Sequence, residues 1–162
     1  MGEYHLRLAI SKIEAELASL ARIHAGMTGF QASKGNEPEN DLDLRLYGSF
    51  LHDFYTCVER IFREIAADID GEVPAGETWH RALLDQMALD INGVRTKVID
   101  PSLKTRLYEF LRFRHIFRNV YGFDLKWEKL SVLVKDYASI YSDVEASIRA
   151  FVDFLKKVDP SS

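Results

Sequence analysis

Hydrophobic residues recur at intervals of three and four positions along most of the chain, and this spacing places them on one face of an α-helix. The first such run predicts a helix that ends near residues 24–29. Its apolar residues are Leu6, Ile10, Ile13, Leu17 and Leu20. The stretch TGFQASKGNEPEND that follows combines glycine, proline and charged residues without periodicity. It predicts a mobile connector near residues 27–40.

Two further helical patterns occupy the middle of the chain. A long run from residue 41 to about residue 69 keeps helical spacing until DGEVPAG interrupts it. The stretch ETWHRALLDQMALD predicts a shorter helix. Asp100 and Pro101 then fit an N-cap followed by proline at the first helical position. We therefore expect a fourth helix from there to about Tyr121.

The last helical pattern extends to the end of the sequence. Gly122 is suited to ending the preceding helix, and Asp124 is suited to capping the next one. No stretch alternates between apolar and polar residues as a strand would. The pattern predicts an all-α, mostly antiparallel bundle of four main helices plus one short helix. With 162 residues and 47% hydrophobic content, the sequence predicts a single domain over residues 1–162.

Composition narrows the range of functions. A net charge of −4 argues against a protein that coats nucleic acid through its overall charge, so any RNA or DNA contact must be local. Cys57 is the only cysteine, and the five histidines are scattered, so we predict no disulfide, no metal site and no cofactor. Charges within MGEYHLRLAI and the lack of an apolar run of about 20 residues predict a cytoplasmic protein without a membrane span.

The segment FLRFRHIFRNVYGFDL, residues 110–125, carries the candidate chemistry because it mixes basic and aromatic side chains. At about 100° per residue, Arg114, Arg118 and Tyr121 fall within about 60° of one another beside the apolar stripe. His115 and Asn119 are four positions apart and form a neighbouring polar strip. The segment therefore presents guanidinium, imidazole and amide groups along one edge of the helix.

Two interpretations of the arginines remain open. Their methylene groups can pack along the core while their charged ends contact water or acidic residues of the next helix. Alternatively, Arg114 and Arg118 bind phosphate, because paired guanidinium groups offer donors in a geometry that suits phosphate oxygens. His115 would then be a candidate for proton transfer near neutral pH.

The same segment resembles the motif of the HepT-like ribonucleases of the HEPN superfamily. That motif consists of an arginine, four residues beginning with a polar one, a histidine, one further residue and a tyrosine. Here Arg114 is followed by polar His115, and Tyr121 is in place, but Asn119 stands at the histidine position. The stretches GSFLHDFYTCVERIF, GETWHRALLDQM and YGFDLKWEKL are also similar to HepT-like segments. The resemblance covers roughly residues 47–155.

The resemblance implies a helical homodimer whose motifs meet in one cleft, formed here through the helix that contains residues 110–121. It also implies a toxin that cleaves RNA without a metal and is paired with a minimal nucleotidyltransferase antitoxin. In such a protein Arg114 would stabilise developing charge. Tyr121 matches the tyrosine that the nucleotidyltransferase modifies with AMP.

Asn119 leaves open whether the chain cleaves RNA. A side-chain amide can orient a phosphate but cannot exchange a proton near neutral pH, so two hypotheses follow. In the first, the chain is an RNA-cleaving toxin in which His115 has taken over proton transfer. In the second, it is a catalytically reduced module that only binds its nucleotidyltransferase partner or a nucleic acid. Trp79 and His80 are predicted to be packing residues and receive no role in the site.

Overall fold

The computed structural model describes residues 2–159, and within that part of the chain it is helical without a β-strand. It contains five α-helices: α1 (Glu3–Lys34), α2 (Asp41–Ile65), α3 (Trp79–Met87), α4 (Pro101–Asn119) and α5 (Trp127–Val158). A short π-helix, Ala66–Asp70, extends α2, and a 3₁₀ turn, Gly122–Asp124, separates α4 from α5. The prediction of an all-α bundle with four main helices and one short helix is confirmed.

Contacts between side chains show that α1 lies antiparallel to α5. Near the start of α1, Glu14 accepts a hydrogen bond from Lys156 near the end of α5 at 2.6 Å. Further along α1, His24 lies against the first half of α5, where its Nδ1 is 3.1 Å from the hydroxyl of Tyr137. The paired positions run in opposite directions along the two helices, as expected for a mostly antiparallel bundle.

The first helix is longer than predicted, because residues 27–34 continue it. Met27 is fully buried, and the ring of Phe30 packs against Tyr47 of α2 at a centroid distance of 5.0 Å. Gly35 ends the helix with a φ of +86°, a conformation that favours glycine. The predicted connector at 27–40 is therefore wrong for residues 27–34. Only residues 35–40 separate α1 from α2.

The predicted start of α4 is confirmed. The side chain of Asp100 accepts a hydrogen bond from the main-chain N–H of Leu103 at 2.7 Å, and Pro101 is the first helical residue. The helix ends at Asn119 rather than near Tyr121, because Val120 is already extended. The predicted cap of α5 is wrong: Asp124 lies in the 3₁₀ turn, and the N-cap position belongs to Lys126.

Close packing between α2 and α4 brings the arginine-rich segment against the core. A Cβ atom added to Gly48 would lie only 2.8 Å from the ring of Phe117, so the small residue permits this approach. Phe54 of α2 contacts Phe110 of α4 at a ring-centroid distance of 5.4 Å. Because position 48 pairs with 117 and position 54 with 110, α4 lies antiparallel to α2.

A buried arginine fixes the connection between α3 and α4. The Arg95 side chain is completely buried and donates two hydrogen bonds to Asp70, at 2.6 and 2.8 Å. It also donates to the main-chain carbonyls of Leu89 and Gln86. These bonds attach the loop after α3 to the π-helix that extends α2, and α3 packs against both α2 and α4. None of the helices described has an apolar stretch long enough to cross a membrane.

Candidate functional site

Three helices each contribute one polar side chain to a compact cluster. Arg114 of α4 donates through Nη1 to Oε1 of Glu59 in α2, at 2.7 Å. Nδ1 of His80, in α3, lies 2.7 Å from Oε2 of Glu59 and 2.9 Å from Nη2 of Arg114. We call Glu59, His80 and Arg114 the polar triad.

The ion pair in this triad is buried. The side chains of Arg114 and Glu59 are only 5% and 8% exposed. The guanidinium also lies over the ring of Tyr55, with its Cζ 5.5 Å from the ring centroid. Burial raises the pKa of Tyr55, so its hydroxyl stays neutral. Arg114 therefore pairs with an acidic residue of a neighbouring helix, as the first interpretation of the arginines predicted.

The two contacts of His80 Nδ1 cannot both be hydrogen bonds at the same time. A ring nitrogen either carries a proton and donates, or has a lone pair and accepts. Glu59 requires a protonated Nδ1, whereas Arg114 requires an unprotonated one. The triad therefore has two arrangements, which differ in the position of the imidazole proton.

A tryptophan covers one face of the His80 ring. The rings of Trp79 and His80 stack with centroids 3.6 Å apart, and the guanidinium of Arg63 lies 5.1 Å from the Trp79 ring. The His80 side chain nevertheless remains 29% exposed. The packing role predicted for Trp79 and His80 thus describes only part of what His80 contacts.

The triad borders an open pocket of about 360 Å³. Its lining consists of His80, Leu111, Arg114, His115, Arg118 and Asn119. Four residues predicted from the sequence therefore share one pocket, and a histidine from another helix joins them. Tyr121 does not line this pocket.

The exposed side of the pocket is formed by Arg118, Asn119 and His115, whose side chains, unlike those of the triad, are not held in an ion pair by any residue that the structure describes. Arg118 is exposed and makes no ion pair with any residue between 2 and 159. Asn119 uses its Nδ2 to donate to the main-chain carbonyl of His115 at 2.7 Å, which closes the last turn of α4. The His115 imidazole is exposed to solvent. Arg118 is thus the more accessible of the two predicted phosphate ligands.

Tyr121 lies just beyond the end of α4. Its side chain is 72% exposed, and its ring stacks in parallel on Phe123 with centroids 5.2 Å apart. The backbone at Tyr121 is extended rather than helical. The tyrosine is therefore exposed to solvent, and it lies outside the helix whose spacing placed it beside the apolar stripe.

Sequence reasoning missed Glu59 and His80. Glu59 stands four positions after Tyr55 and three before Phe62, both of which are buried, so it lies on an apolar stripe. A buried carboxylate needs a cationic partner, so a glutamate on an apolar stripe is a sequence signal for a buried ion pair. His80 offers no comparable signal, because only the fold brings it to Glu59.

Fold and pocket together define a helical-bundle protein with an arginine and histidine site between three helices. The family model described as HepT-like protein matches residues 46–155, which is more than half of the chain. The chain therefore belongs to the HepT-like family. No curated protein and no solved structure matches it.

Proposed function

We propose that this chain is a HepT-like toxin of the HEPN type that binds RNA in the pocket between α3 and α4 and cleaves it without a metal ion. Membership of the HepT-like family supports the class of protein. The observation that carries the proposal is the convergence of two arginines and two histidines on one open pocket. Such a site supplies the local positive charge that RNA binding requires in a chain of net charge −4.

Arg118 is the main phosphate ligand in this proposal. Its guanidinium is exposed, borders the pocket and is not neutralised by a carboxylate of residues 2–159. Arg114 uses one of its five N–H donors on Glu59 and at most a second on His80, so at least three remain. It can therefore contribute hydrogen bonds to a phosphate oxygen at the inner wall of the pocket, while Glu59 offsets its charge.

Cleavage would proceed through the ribose 2′-hydroxyl. A base removes its proton, and the freed oxygen attacks the adjacent phosphorus. The 5′-oxygen then leaves, which gives a 2′,3′-cyclic phosphate and a 5′-hydroxyl end. The guanidinium groups stabilise the negative charge that develops on the phosphate oxygens. No metal is needed, because imidazole can move the proton and arginine can stabilise the charge.

The competing hypothesis of a catalytically reduced binding module also rests on specific observations. Asn119 cannot exchange a proton, and its amide already contacts the helix backbone. Arg114 lines the pocket, but its side chain is only 5% exposed and is held in a buried ion pair. A binding module would retain affinity for RNA through Arg118 but would show no cleavage.

RNA binding is tested by titrating a fluorescent single-stranded RNA against the protein at several salt concentrations. Arg118→Gln should weaken binding and reduce the slope of log K against log salt by about 1. Arg112→Gln is the matched control, because Arg112 lies on the same helix, is 60% exposed and pairs with Glu109 outside the pocket. Equal affinities and slopes for all three proteins would contradict the pocket assignment.

Cleavage is tested on the same RNA in the presence of EDTA. The proposal expects products with 2′,3′-cyclic phosphate ends, and mass spectrometry of the fragments identifies these ends. Binding without cleavage at any protein concentration would instead support the binding module.

We further propose that a second copy and a nucleotidyltransferase are the protein partners. HepT-like proteins usually occur in toxin–antitoxin pairs, and apolar surface is exposed at the end of α4, where Ile116 is 50% exposed and Val120, just after the helix, is 38% exposed. A homodimer through α4 would cover that surface and bring two pockets together. Analytical ultracentrifugation should show a dimer that Ile116→Asp weakens.

Tyr121 is the proposed acceptor of AMP. Its exposed hydroxyl could attack the α-phosphorus of ATP bound to the nucleotidyltransferase, with release of pyrophosphate and transfer of the phenolic proton to solvent. Co-expression with a minimal nucleotidyltransferase should add the mass of AMP to the chain. Tyr121→Phe should abolish this addition, and an unchanged mass gain in that variant would contradict the assignment.

A further inference from the structure

We propose that His80, rather than His115, is the base that accepts the 2′-hydroxyl proton, and that Glu59 positions its ring. This inference rests on the proposed RNA cleavage. It assigns a catalytic role to a residue outside the arginine-rich segment and explains how the pocket can work with Asn119 in place of a histidine.

The contacts of the polar triad favour one form of the imidazole. If Nδ1 of His80 had no proton, its lone pair would face Oε2 of Glu59 at 2.7 Å, inside a site where the Glu59 side chain is 8% exposed. Two facing acceptors at this distance repel each other, and the buried carboxylate oxygen would lose its partner. With the proton on Nδ1, Nη2 of Arg114, 2.9 Å away, loses this acceptor, but Arg114 has further donors and keeps its bond to Glu59. We therefore place the proton on Nδ1, where it makes the shorter contact with Glu59.

This assignment leaves Nε2 as the ring nitrogen that can accept a proton. Nε2 has no hydrogen-bond partner among residues 2–159. One ring face is covered by Trp79, yet the side chain is still part of the pocket lining. In a neutral imidazole with its proton on Nδ1, Nε2 carries the lone pair that a general base needs.

His80 is held in place, whereas His115 is not. Nδ1 of His80 donates to Glu59, and Trp79 stacks on the ring. The His115 imidazole is exposed and makes no side-chain hydrogen bond or ion pair within the described part of the chain. A base fixed at the reacting group loses less rotational freedom in the transition state, so geometry favours His80.

The proton and electron balance of the step is complete without an added reactant. The 2′-hydroxyl proton moves to Nε2 of His80 as the 2′-oxygen forms its bond to phosphorus. The bond between phosphorus and the 5′-oxygen breaks, and that oxygen takes a proton from water in the open pocket. The imidazolium of His80, stabilised by the Glu59 carboxylate, then returns its proton to solvent.

The test compares three histidine variants in the metal-free cleavage assay. His80→Gln should lower the cleavage rate by about 10²- to 10⁴-fold, the usual contribution of a general base, with little change in RNA affinity. His115→Gln should lower the rate much less than His80→Gln does, because His115 lines the pocket but does not accept the proton. His5→Gln is the control, because His5 is exposed near the start of α1 and outside the pocket. Circular dichroism melting checks that each variant is folded.

Chemical rescue separates a proton-transfer role from a structural one. Added imidazole should restore part of the activity of His80→Gly, because free imidazole can enter the vacated space and accept the proton. It should not restore activity to Arg118→Gln, which lacks a phosphate ligand.

The outcomes distinguish this inference from the proposed function. Full activity in His80→Gln together with loss of activity in His115→Gln would overturn the role of His80 and leave the ribonuclease proposal standing. RNA binding without cleavage by the unmodified chain would overturn the ribonuclease proposal, and this inference with it. Equal cleavage by all variants, including Arg118→Gln, would overturn both assignments to this pocket.

Discussion

Removing one member of the buried ion pair should destabilise the fold severely. We consider Arg114→Met, which has a similar side-chain length but no charge. Glu59 would remain 8% exposed with only His80 as a polar partner. Breaking a buried pair from one side costs about 3–5 kcal/mol, because the remaining charge is left without compensation. Since His80 can still donate to Glu59, we expect the lower half of that range.

Removing the glutamate of the pair should cost less stability than removing the arginine. In Glu59→Leu, Arg114 retains the ring of Tyr55 and can donate to Nδ1 of His80, which then carries no proton. The double variant Glu59→Leu/Arg114→Met removes both charges at once. Replacing a buried pair by apolar residues is often neutral or stabilising, so the double variant should be more stable than Arg114→Met alone.

Urea unfolding followed by circular dichroism measures these differences in the free energy of unfolding. For a chain of this size, a loss of about 3 kcal/mol corresponds to a decrease in melting temperature of about 6–12 °C. The double-mutant cycle then gives the coupling energy, for which we expect about 1–3 kcal/mol. The reasoning would be refuted if Arg114→Met cost less than about 1 kcal/mol, or if the two single effects simply added.

Four smaller predictions concern other parts of the bundle. Gly48→Ala should destabilise the protein by about 1–3 kcal/mol because its methyl group would overlap the ring of Phe117. Gly29→Ala, in open space on α1, should stabilise it by about 0.4–1 kcal/mol. Burial lowers the pKa of His24, so stability should decrease as the pH falls below about 6.5, and His24→Gln should lose less stability on acidification. Burial raises the pKa of the Cys57 thiol to about 12, so iodoacetamide should label it only in urea.

Each of these predictions has a contrary result. Equal unfolding free energies for the two glycine variants would contradict the packing between α2 and α4. A His24→Gln variant that keeps the full acid sensitivity would assign that sensitivity to other groups. Labelling of Cys57 in the folded protein at pH 8 would show that the thiol is accessible.

The helices could be predicted from the sequence because their apolar residues repeat with one period along the chain. The predicted first helix is too short because the last turns of α1 carry glycine and polar residues, which are typical of a connector. The packing of Met27 and Phe30 against the core extends the helix in the structure. The cap at Asp100 was predictable, since the aspartate and the following proline act within three residues. The cap at Asp124 failed because the 3₁₀ turn moves the start of α5 to Trp127.

The site could be predicted only in part, because helical periodicity relates residues of one helix but not residues of different helices. Arg118, His115 and Asn119 lie on one helix, so their spacing gives their relative positions. Arg114 donates to a carboxylate 55 positions earlier and contacts a histidine 34 positions earlier, and helical periodicity contains no information about such distant pairs. A glutamate on an apolar stripe indicates that a buried cation exists but does not identify it.

The shared carboxylate of Glu59 has a consequence for how mutations in this pocket should be interpreted. Its two oxygens hold α4 through Arg114 and α3 through His80, so the group that would orient the base also joins three helices. Loss of activity in Arg114 or Glu59 variants would therefore follow from a disturbed fold as readily as from lost chemistry. Arg118 and His80 are the informative positions, because Arg118 is exposed and His80 is not part of the buried ion pair. With Asn119 at the position where the resemblance predicts a histidine, this chain thus still presents an oriented imidazole, that of His80, to its pocket, provided that the Glu59 carboxylate stays in place.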